Sequence, residues 1–214
     1  SHPGPCARDR NQHLAATDPG HEARDDGGRH RDGRAGRPRL PTLWLFTDTA
    51  RLADPLPSAR ALPAGISGIV FRHDGHPDRA AIGRALARVC RARGIALVVA
   101  GDSRLAAALG AGIHLRAGRW PDAVRAMGLR TSSDHSPAEL RRARIAGADV
   151  AFLSPAFPTS SHPGERTLGA AVWSVWARRA GLPVAALGGI DGRSVRRLGR
   201  AAYAAAAIGA LSTP

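Results

Sequence analysis

The feature that most constrains the fold is a regular alternation of short apolar runs with longer stretches of helical period, which starts at Leu40 and continues almost to Pro214. Eight strand-like runs with helix-sized connections, at intervals of about 20 residues, predict a (β/α)8 TIM barrel. A doubly wound open sheet is the alternative, but the glycine-rich dinucleotide turn expected after its first strand is absent from the sequence. The eight runs are Leu43–Phe46, Ile66–Phe71, Ile95–Ala100, Gly112–Leu115, Leu129–Ser132, Asp149–Leu153, Pro183–Leu187 and Tyr203–Ile208.

The segments between the runs carry helix signals. One of them begins with a capping box formed by Ser136 and Glu139, and Pro137 takes its first helical position. Because Pro214 lies only a few residues beyond the eighth run, the last helix of the barrel is expected to be missing or very short. Helices are expected over Pro77–Arg93, Ser136–Ala146, Leu168–Ala180 and Gly192–Arg200.

Composition divides the chain near residue 40. Residues 1–39 are rich in Gly, Asp, Arg and His and hold almost no large apolar side chain. Such a segment cannot bury enough surface to offset the entropy of ordering it, so we expect a disordered, low-complexity tail. Residues 40–214 contain all the periodic segments and are expected to form the barrel.

Charge and cysteine content exclude several classes of protein. The formal net charge is +14 and all 31 basic residues are Arg, yet these are scattered rather than interleaved with aromatic residues, so no nucleic-acid partner is expected. Cys6 and Cys90 are too few for a disulfide scaffold. No apolar run approaches the ~20 residues of a membrane helix, and no apolar signal segment begins the chain. A cytoplasmic protein without a membrane partner is therefore expected.

The loops that follow the strands are where a barrel of this kind carries its chemistry. After the seventh and eighth runs the chain reads Gly188-Gly189 and Ile208-Gly209, and bare backbone amides at these places commonly bind phosphate. The loop after the sixth run, residues 154–164, is rich in hydroxyl side chains. These features predict a phosphate site; the alternatives are a plain tight turn and an ordinary surface loop.

A set of motifs extends this interpretation. Residues 147–149 read GAD and residues 152–164 read FLSPAFPTSSHPG, followed by Leu168-Gly169 and by PVAALGGI at 183–190. Upstream stand Phe71-Arg72, GAGIHL at 110–115 and SDHS at 133–136. In this order and spacing the chain resembles the thiamine phosphate synthase/TenI family over about residues 42–210.

The resemblance implies a barrel that is often dimeric, so a homodimer is expected. In the synthase branch a pyrimidine methyl diphosphate loses pyrophosphate with the help of Mg²⁺, and a thiazole phosphate captures the pyrimidine cation through its nitrogen. In the TenI branch a histidine moves a proton to aromatise the thiazole phosphate, without metal. Both branches bind thiazole phosphate at the amides of loops seven and eight. Small phosphorylated thiazole and pyrimidine compounds are therefore the expected partners.

The resemblance also assigns roles to individual residues. Arg72 matches an arginine that contacts the diphosphate, and its forked guanidinium suits two phosphate oxygens. Asp102 matches one Mg²⁺ ligand, but Arg119 stands where the second metal carboxylate is expected, and Asp74 stands where a lysine is expected. Arg72, Arg116 and Arg119 offer a metal-free way to neutralise two phosphates. The remaining phosphate contacts carry over to Ser133, Thr159, Ser161 and, in place of a lysine, His162.

His135 matches the position of the TenI histidine, and an imidazole can take and return a carbon-bound proton near neutral pH. Synthases also carry a histidine there, so three hypotheses stay open: a synthase, a TenI-type tautomerase, and a barrel that binds thiazole phosphate without catalysis. The retained Arg72 and Asp102 favour the synthase, whereas Arg119 and His162 oppose it.

Overall fold

The computed structural model describes residues 39–117, 119, 128–159 and 164–211. The eight strands within these ranges form a closed barrel in which every neighbouring pair is parallel and β8 pairs back to β1. The predicted (β/α)8 barrel is therefore confirmed. All of the predicted tail except Arg39 lies outside the described residues, so its disorder stays a prediction. The strands are β1 Leu43–Phe46, β2 Ser67–Phe71, β3 Ala96–Ala100, β4 Gly112–Arg116, β5 Arg130–Asp134, β6 Val150–Leu153, β7 Val184–Ala186 and β8 Ala204–Ala207.

The interior of the barrel is filled by large side chains that alternate along the strands with residues facing the helices. Phe152 contacts Trp44 and Phe46 edge to face, with ring centroids 5.2 and 4.8 Å apart. Gly68 makes room for this packing, because a Cβ at that position would lie 2.5 Å from the Trp44 ring. The centre of the barrel is thus a packed core, and open space is left only towards its ends.

Helices cover the outside of the sheet. Trp173 of the last α-helix is fully buried and its indole N–H donates to the Leu153 carbonyl at 3.0 Å. Burying one large apolar side chain of this kind contributes about 1.5–3 kcal/mol. The helices are α1 Leu56–Ala61, α2 Arg79–Arg93, α3 Ser103–Leu109, α4 Pro137–Ile145 and α5 Gly169–Arg179.

The connection between β7 and β8 differs from the prediction. An α-helix was expected over Gly192–Arg200, but the structure has a 3-10 helix over Val195–Ala201. Gly199 interrupts it with φ 52° and ψ −139°, a conformation outside the helical region that glycine adopts readily. The helical expectation there was wrong because the glycine breaks the repeat.

The seam between β8 and β1 is covered differently from the rest of the barrel. After β8, the described chain holds one 3-10 turn, Gly209–Leu211, in agreement with the expected very short last helix. Leu211 and Leu43 line an apolar groove of about 230 Å³ on this side. Tyr203 fastens the seam by donating its hydroxyl proton to the Leu40 carbonyl at 2.9 Å.

The described helices are short relative to the thickness of a lipid bilayer; the longest, α2, has 15 residues. None of those within residues 39–117, 128–159 and 164–211 has the length and apolar character required to cross one.

Candidate phosphate-binding active site

A cleft of about 420 Å³ opens at the carboxyl ends of the strands. Parallel strands in a closed barrel all end at the same rim, so loops that are distant in sequence meet there. The cleft brings together six of the residues predicted from the sequence: Arg72, His135, Thr159, Gly188, Gly189 and Ile208. It is also lined by Arg51, Ser154, Pro155, Glu165, Leu187, Ile190, Ala206, Ala207 and Ala210.

The Gly188-Gly189 pair forms one wall of the cleft, and its conformation requires glycine. Both residues have positive φ, 86° and 62°. A Cβ on Gly188 would lie 2.9 Å from the Pro155 Cα, and one on Gly189 would lie 2.4 Å from the Pro158 carbonyl oxygen. The backbone of the seventh loop therefore passes closely against the sixth loop, in a form that no other residue could take without displacement.

The sixth and seventh loops are joined by backbone hydrogen bonds. Ala156 donates to the Leu187 carbonyl at 2.9 Å, and Phe157 donates to the Gly188 carbonyl at 3.0 Å. On the other side, the Ser194 hydroxyl donates to the Gly189 carbonyl at 2.9 Å. These bonds hold the glycine pair in place before any ligand binds, which is the condition for strong anion recognition by a backbone.

Arg72, at the end of β2, contributes positive charge to the opposite wall. Its guanidinium lies 3.3 Å from Asp48 Oδ2 and is about one third exposed, with 38% of the side chain accessible. A salt bridge this accessible is weak, because water screens it. The guanidinium is therefore available to a phosphate in the cleft.

A buried chain of hydrogen bonds holds the backbone beside Arg72. The Arg72 N–H donates to Thr47 Oγ1 at 3.0 Å, and Thr47 Oγ1 lies 2.9 Å from His73 Nδ1. His73 Nε2 lies 3.3 Å from the Ala53 carbonyl, which can only accept, so Nε2 carries the proton and the Thr47 hydroxyl donates to Nδ1. Burial lowers the pKa of His73, which keeps the ring in this neutral form.

His135, directly after β5, is oriented by two other segments. Its backbone N–H donates to Glu139 Oε2 at 2.6 Å, one residue before the N-cap, whereas the expected capping-box contact is the Glu139 N–H donating to the Ser136 hydroxyl at 3.3 Å. Its ring Nδ1 lies 3.0 Å from the Ser154 carbonyl oxygen and 3.3 Å from the Ser154 hydroxyl, and the carbonyl is the nearer partner. Because a carbonyl can only accept, Nδ1 carries the proton in the neutral ring and Nε2 is left as a proton acceptor. This tautomer suits a general base.

Ser133, a predicted diphosphate contact, lies inside the barrel rather than among the lining residues of the cleft. Its hydroxyl is 2.9 Å from His114 Nε2, and Thr131 Oγ1 is 2.8 Å from His114 Nδ1. Desolvation lowers the pKa of His114 to about 3, assisted by the positive charges of Arg72 and Arg116, so the ring is neutral. Ser133 therefore bonds an interior histidine in this structure.

Asp102, the predicted metal ligand, also has a structural partner on each oxygen. Oδ1 caps α3 by accepting from the Leu105 N–H at 2.9 Å, and Oδ2 lies 3.6 Å from Arg79 Nη1. Arg119, in place of the second carboxylate, is exposed. Within residues 39–117, 119, 128–159 and 164–211, His, Cys, Asp and Glu side chains form no group of three able to hold a metal. With Asp102 paired to Arg79 and Arg119 in the place of the second carboxylate, the described residues at the predicted position do not fit a Mg²⁺ site held by the protein.

Asp134 is a buried carboxyl one residue before His135. It lies on the face of β5 opposite Ser133, and the Ser132 hydroxyl donates to its Oδ1 at 3.1 Å. Within the described structure Oδ2 is buried without a hydrogen-bond partner. Desolvation raises the pKa of Asp134 to about 6, with a smaller raising contribution from the Glu139 charge, against the lowering effect of the Ser132 hydrogen bond.

The remaining predicted residues divide into two groups. Gly209 follows Ile208 and begins the last 3-10 turn. Ser161 and His162 lie outside the described residues. Ser154, from the predicted hydroxyl-rich loop, lines the cleft, and Arg51 and Glu165 also line it but were missed by the sequence analysis. Their only signal was their position in loops after strands, which many residues without function share.

Fold and cleft together define the class: an enzyme built on a (β/α)8 barrel, with its cleft at the carboxyl ends of the strands. More narrowly, the chain belongs to the thiamine monophosphate synthase family, whose model matches residues 45–211.

Individual relatives agree with this assignment. A thiamine-phosphate synthase of Methylobacillus flagellatus is 32% identical over 181 residues, which cover 78% of this chain and 83% of the relative. The thiamine biosynthesis bifunctional protein ThiED of Geobacter sulfurreducens is 31% identical over 173 residues, and the match covers 76% of this chain but 35% of that longer protein. The solved thiamine phosphate pyrophosphorylase from Pyrococcus furiosus superposes with a TM-score of 0.67 at 24% identity, covering 78% of this chain and 85% of that one, and has the same fold.

Proposed function

We propose that this chain is a thiamine phosphate synthase, which joins hydroxymethylpyrimidine diphosphate to thiazole phosphate and releases pyrophosphate. The observation that carries the proposal is the cleft itself. A rigid glycine wall, Gly188 and Gly189, lines the same cleft as Arg72. A transferase of this kind needs two anion-recognising walls, one for each phosphorylated substrate.

In the proposed reaction the thiazole phosphate lies against the amides of Gly188, Gly189, Ile208 and Gly209. The diphosphate of the second substrate lies towards Arg72, with Thr159, Ser161 and His162 as further contacts. The bond between the methylene carbon and the diphosphate oxygen breaks, and pyrophosphate leaves with the electron pair. The thiazole nitrogen then forms a bond to the same carbon.

Arg72 acts on the leaving group in this scheme. Charge grows on the bridging diphosphate oxygen as the bond breaks, and a guanidinium fixed beside it is a stabilising group of the required sign. One charge-assisted hydrogen bond of this type is worth about 1.5–3 kcal/mol. The close backbone contacts of the sixth and seventh loops would keep the thiazole nitrogen in line with the carbon that it attacks.

The direct test is to incubate the purified full chain with both phosphates and Mg²⁺ and to measure thiamine phosphate and pyrophosphate. Equal amounts of the two products support the proposal. Matched reactions without either substrate are the controls. Absence of thiamine phosphate under conditions in which calorimetry detects thiazole phosphate binding would contradict it, and absence of tautomerisation as well would select the non-catalytic barrel.

A TenI-type tautomerase is the second candidate, and the hydrogen bond from His135 Nδ1 to Ser154 favours it specifically. That bond leaves Nε2 unprotonated beside the cleft, ready to remove a carbon-bound proton from the thiazole phosphate. A second arm of the test therefore measures tautomerisation with wild type and His135→Ala. Tautomerisation that is lost in His135→Ala, with no thiamine phosphate formed by either protein, would replace the first proposal by this one.

Mg²⁺ is added to the assay medium because the family resemblance implies it. No step of the proposed reaction is assigned to a metal held by the protein, since Asp102 is paired with Arg79 and Arg119 stands in the place of the second carboxylate. Formation of a homodimer, a cytoplasmic location and the lack of a nucleic-acid partner stay predictions from the sequence.

A further inference from the structure

The guanidinium of Arg79 is the feature of the rim that the proposed reaction leaves unused. It lies between two carboxylates from different loops. Arg79 Nη2 is 3.0 Å from Oδ1 of Asp74, which follows β2, and Nη1 is 3.6 Å from Oδ2 of Asp102, which follows β3. One positive charge thus links the second and third loops beside the cleft.

The Arg79 side chain is held in this position by the scaffold. Nη2 donates to the Ala100 carbonyl at 2.6 Å, and the guanidinium carbon lies 5.8 Å from the centre of the Phe71 ring. Only 17% of the side chain is exposed, and Arg79 is the first residue of α2. A guanidinium fixed by packing loses little entropy in its ion pairs, which distinguishes it from an exposed surface arginine.

The other oxygens of both carboxylates have partners too. Asp102 Oδ1 caps α3 through the Leu105 N–H at 2.9 Å, and Asp74 Oδ2 lies 3.3 Å from Arg116 Nη2. The Arg116 side chain is 79% exposed, so this last contact is weak and replaceable. Arg79, whose side chain is 17% exposed, is therefore the principal counter-charge of the pair.

We infer that Arg79 is an internal cation that takes the place of a protein-held divalent ion between the loops after β2 and β3, and that Asp102 serves as its partner and as a helix cap. A Mg²⁺ ion is commonly held by one or two carboxylates and several waters, which is the donor set that Asp74 and Asp102 would offer without Arg79. The inference concerns the cofactor of the proposed reaction, but it is stated about cation binding and can be tested without turnover.

The experiment titrates Mn²⁺, as a probe for Mg²⁺, into the substrate-free full chain and measures free Mn²⁺ by electron paramagnetic resonance. Wild type is expected to show no site below millimolar concentrations. Arg79→Gln removes the internal charge and is expected to gain a single site that binds Mn²⁺ at least about tenfold more tightly than wild type. Arg79→Lys keeps the charge and is the matched control, with affinity unchanged from wild type.

A second readout separates this role from a purely structural one. Loss of packing alone would lower the Tm of Arg79→Gln without creating a response to cation, whereas the inference predicts that Mn²⁺ raises the Tm of Arg79→Gln and leaves that of wild type unchanged. Adding Asp74→Asn to Arg79→Gln should abolish both gains.

Two outcomes would overturn the inference. One is a tight Mn²⁺ site in substrate-free wild type, a measurement that needs no variant to fold. The other is a folded Arg79→Gln protein with no gain in affinity. Neither outcome bears on whether thiamine phosphate is formed, so failure here and failure of the proposed function are distinguishable.

Discussion

The two sides of the proposed phosphate cleft are built by different means. On the side of β6 to β8, the wall is backbone: Gly188 and Gly189 are locked in left-handed conformations against the sixth loop. On the side of β2 to β4, charge is carried by arginines that are already paired with carboxylates, such as Arg72 with Asp48. The first wall depends on conformation, which no single side chain can restore, whereas the second depends on charges that other side chains can replace or compensate.

The glycine wall is where the largest effect is expected. Gly189→Ala places a Cβ 2.4 Å from the Pro158 oxygen and forces φ of 62° on a residue with a side chain. Strain and overpacking together should cost about 3–5 kcal/mol of unfolding free energy. Denaturant unfolding measures this, and thiazole phosphate affinity should fall in parallel. Gly192→Ala, on the same loop with open space at its Cβ, is the control and should change little.

Asp134 of β5 is a buried carboxyl next to the site, and its ionisation should make the stability of the chain depend on pH. The pKa of Asp134 is about 6 in the folded chain, above its ordinary value of 3.8, so folding favours the protonated form. Its stabilising contribution is present below about pH 4 and is lost as the pH rises through 6, a change of about 3 kcal/mol at roughly 1.4 kcal/mol per pKa unit.

Asp134→Asn keeps an acceptor for Ser132 and cannot ionise. Unfolding free energies measured from pH 4 to pH 8 should decline in wild type, and the decline should be smaller in Asp134→Asn. An identical decline in the two proteins would show that this carboxyl does not carry the pH dependence.

The arginine wall should give a smaller and purely functional effect. Arg72→Ala is expected to reduce kcat/KM for the diphosphate substrate by about 10–100-fold, the equivalent of one charge-assisted contact. Because Arg72 is partly exposed, the Tm should stay nearly constant. Arg60→Ala, an exposed arginine in the last turn of α1, is the control for net charge. Equal losses in both variants would contradict a local role for Arg72.

The smallest effect is expected outside both walls. Deleting residues 1–38 should change the Tm by about a degree or two at most, because their composition offers little apolar surface to bury. Calorimetry of the two proteins measures this. A fall of several degrees would mean that the segment contributes to the stability of the barrel.

Sequence reasoning predicted best the elements whose cause is local. The run Leu43–Phe46 was placed as a strand with the bounds that the structure has, because its residues are apolar on both faces. The fifth run was placed at Leu129–Ser132, but β5 extends over Arg130–Asp134. The apolar pattern does not predict the end of this strand, because Ser132 and Asp134 are polar residues buried on the face towards the helices.

The same division holds within the candidate site. The Gly188-Gly189 wall was predictable because glycine pairs after a strand indicate special backbone conformations. The ion pair of Asp102 with Arg79 was not, because it depends on how α2 begins relative to β3 and on packing against Phe71. Contacts between loops that are distant in sequence leave no periodic signal. This is why the sequence did not reveal that Asp102, which was interpreted as a metal ligand, lies beside the guanidinium of Arg79.

The packing of Trp44 against Gly68 has a consequence for how substrates and products reach and leave the cleft. The indole fills the space that a Cβ of residue 68 would occupy, and the Phe46 and Phe152 rings pack together beside it. The described side chains therefore leave no channel along the axis of the barrel. Anything that arrives at the catalytic end must depart by the same mouth. In the proposed reaction pyrophosphate and the coupled product would then both leave through the cleft at the carboxyl ends of the strands. Accumulated product should therefore compete with substrate for binding in that cleft.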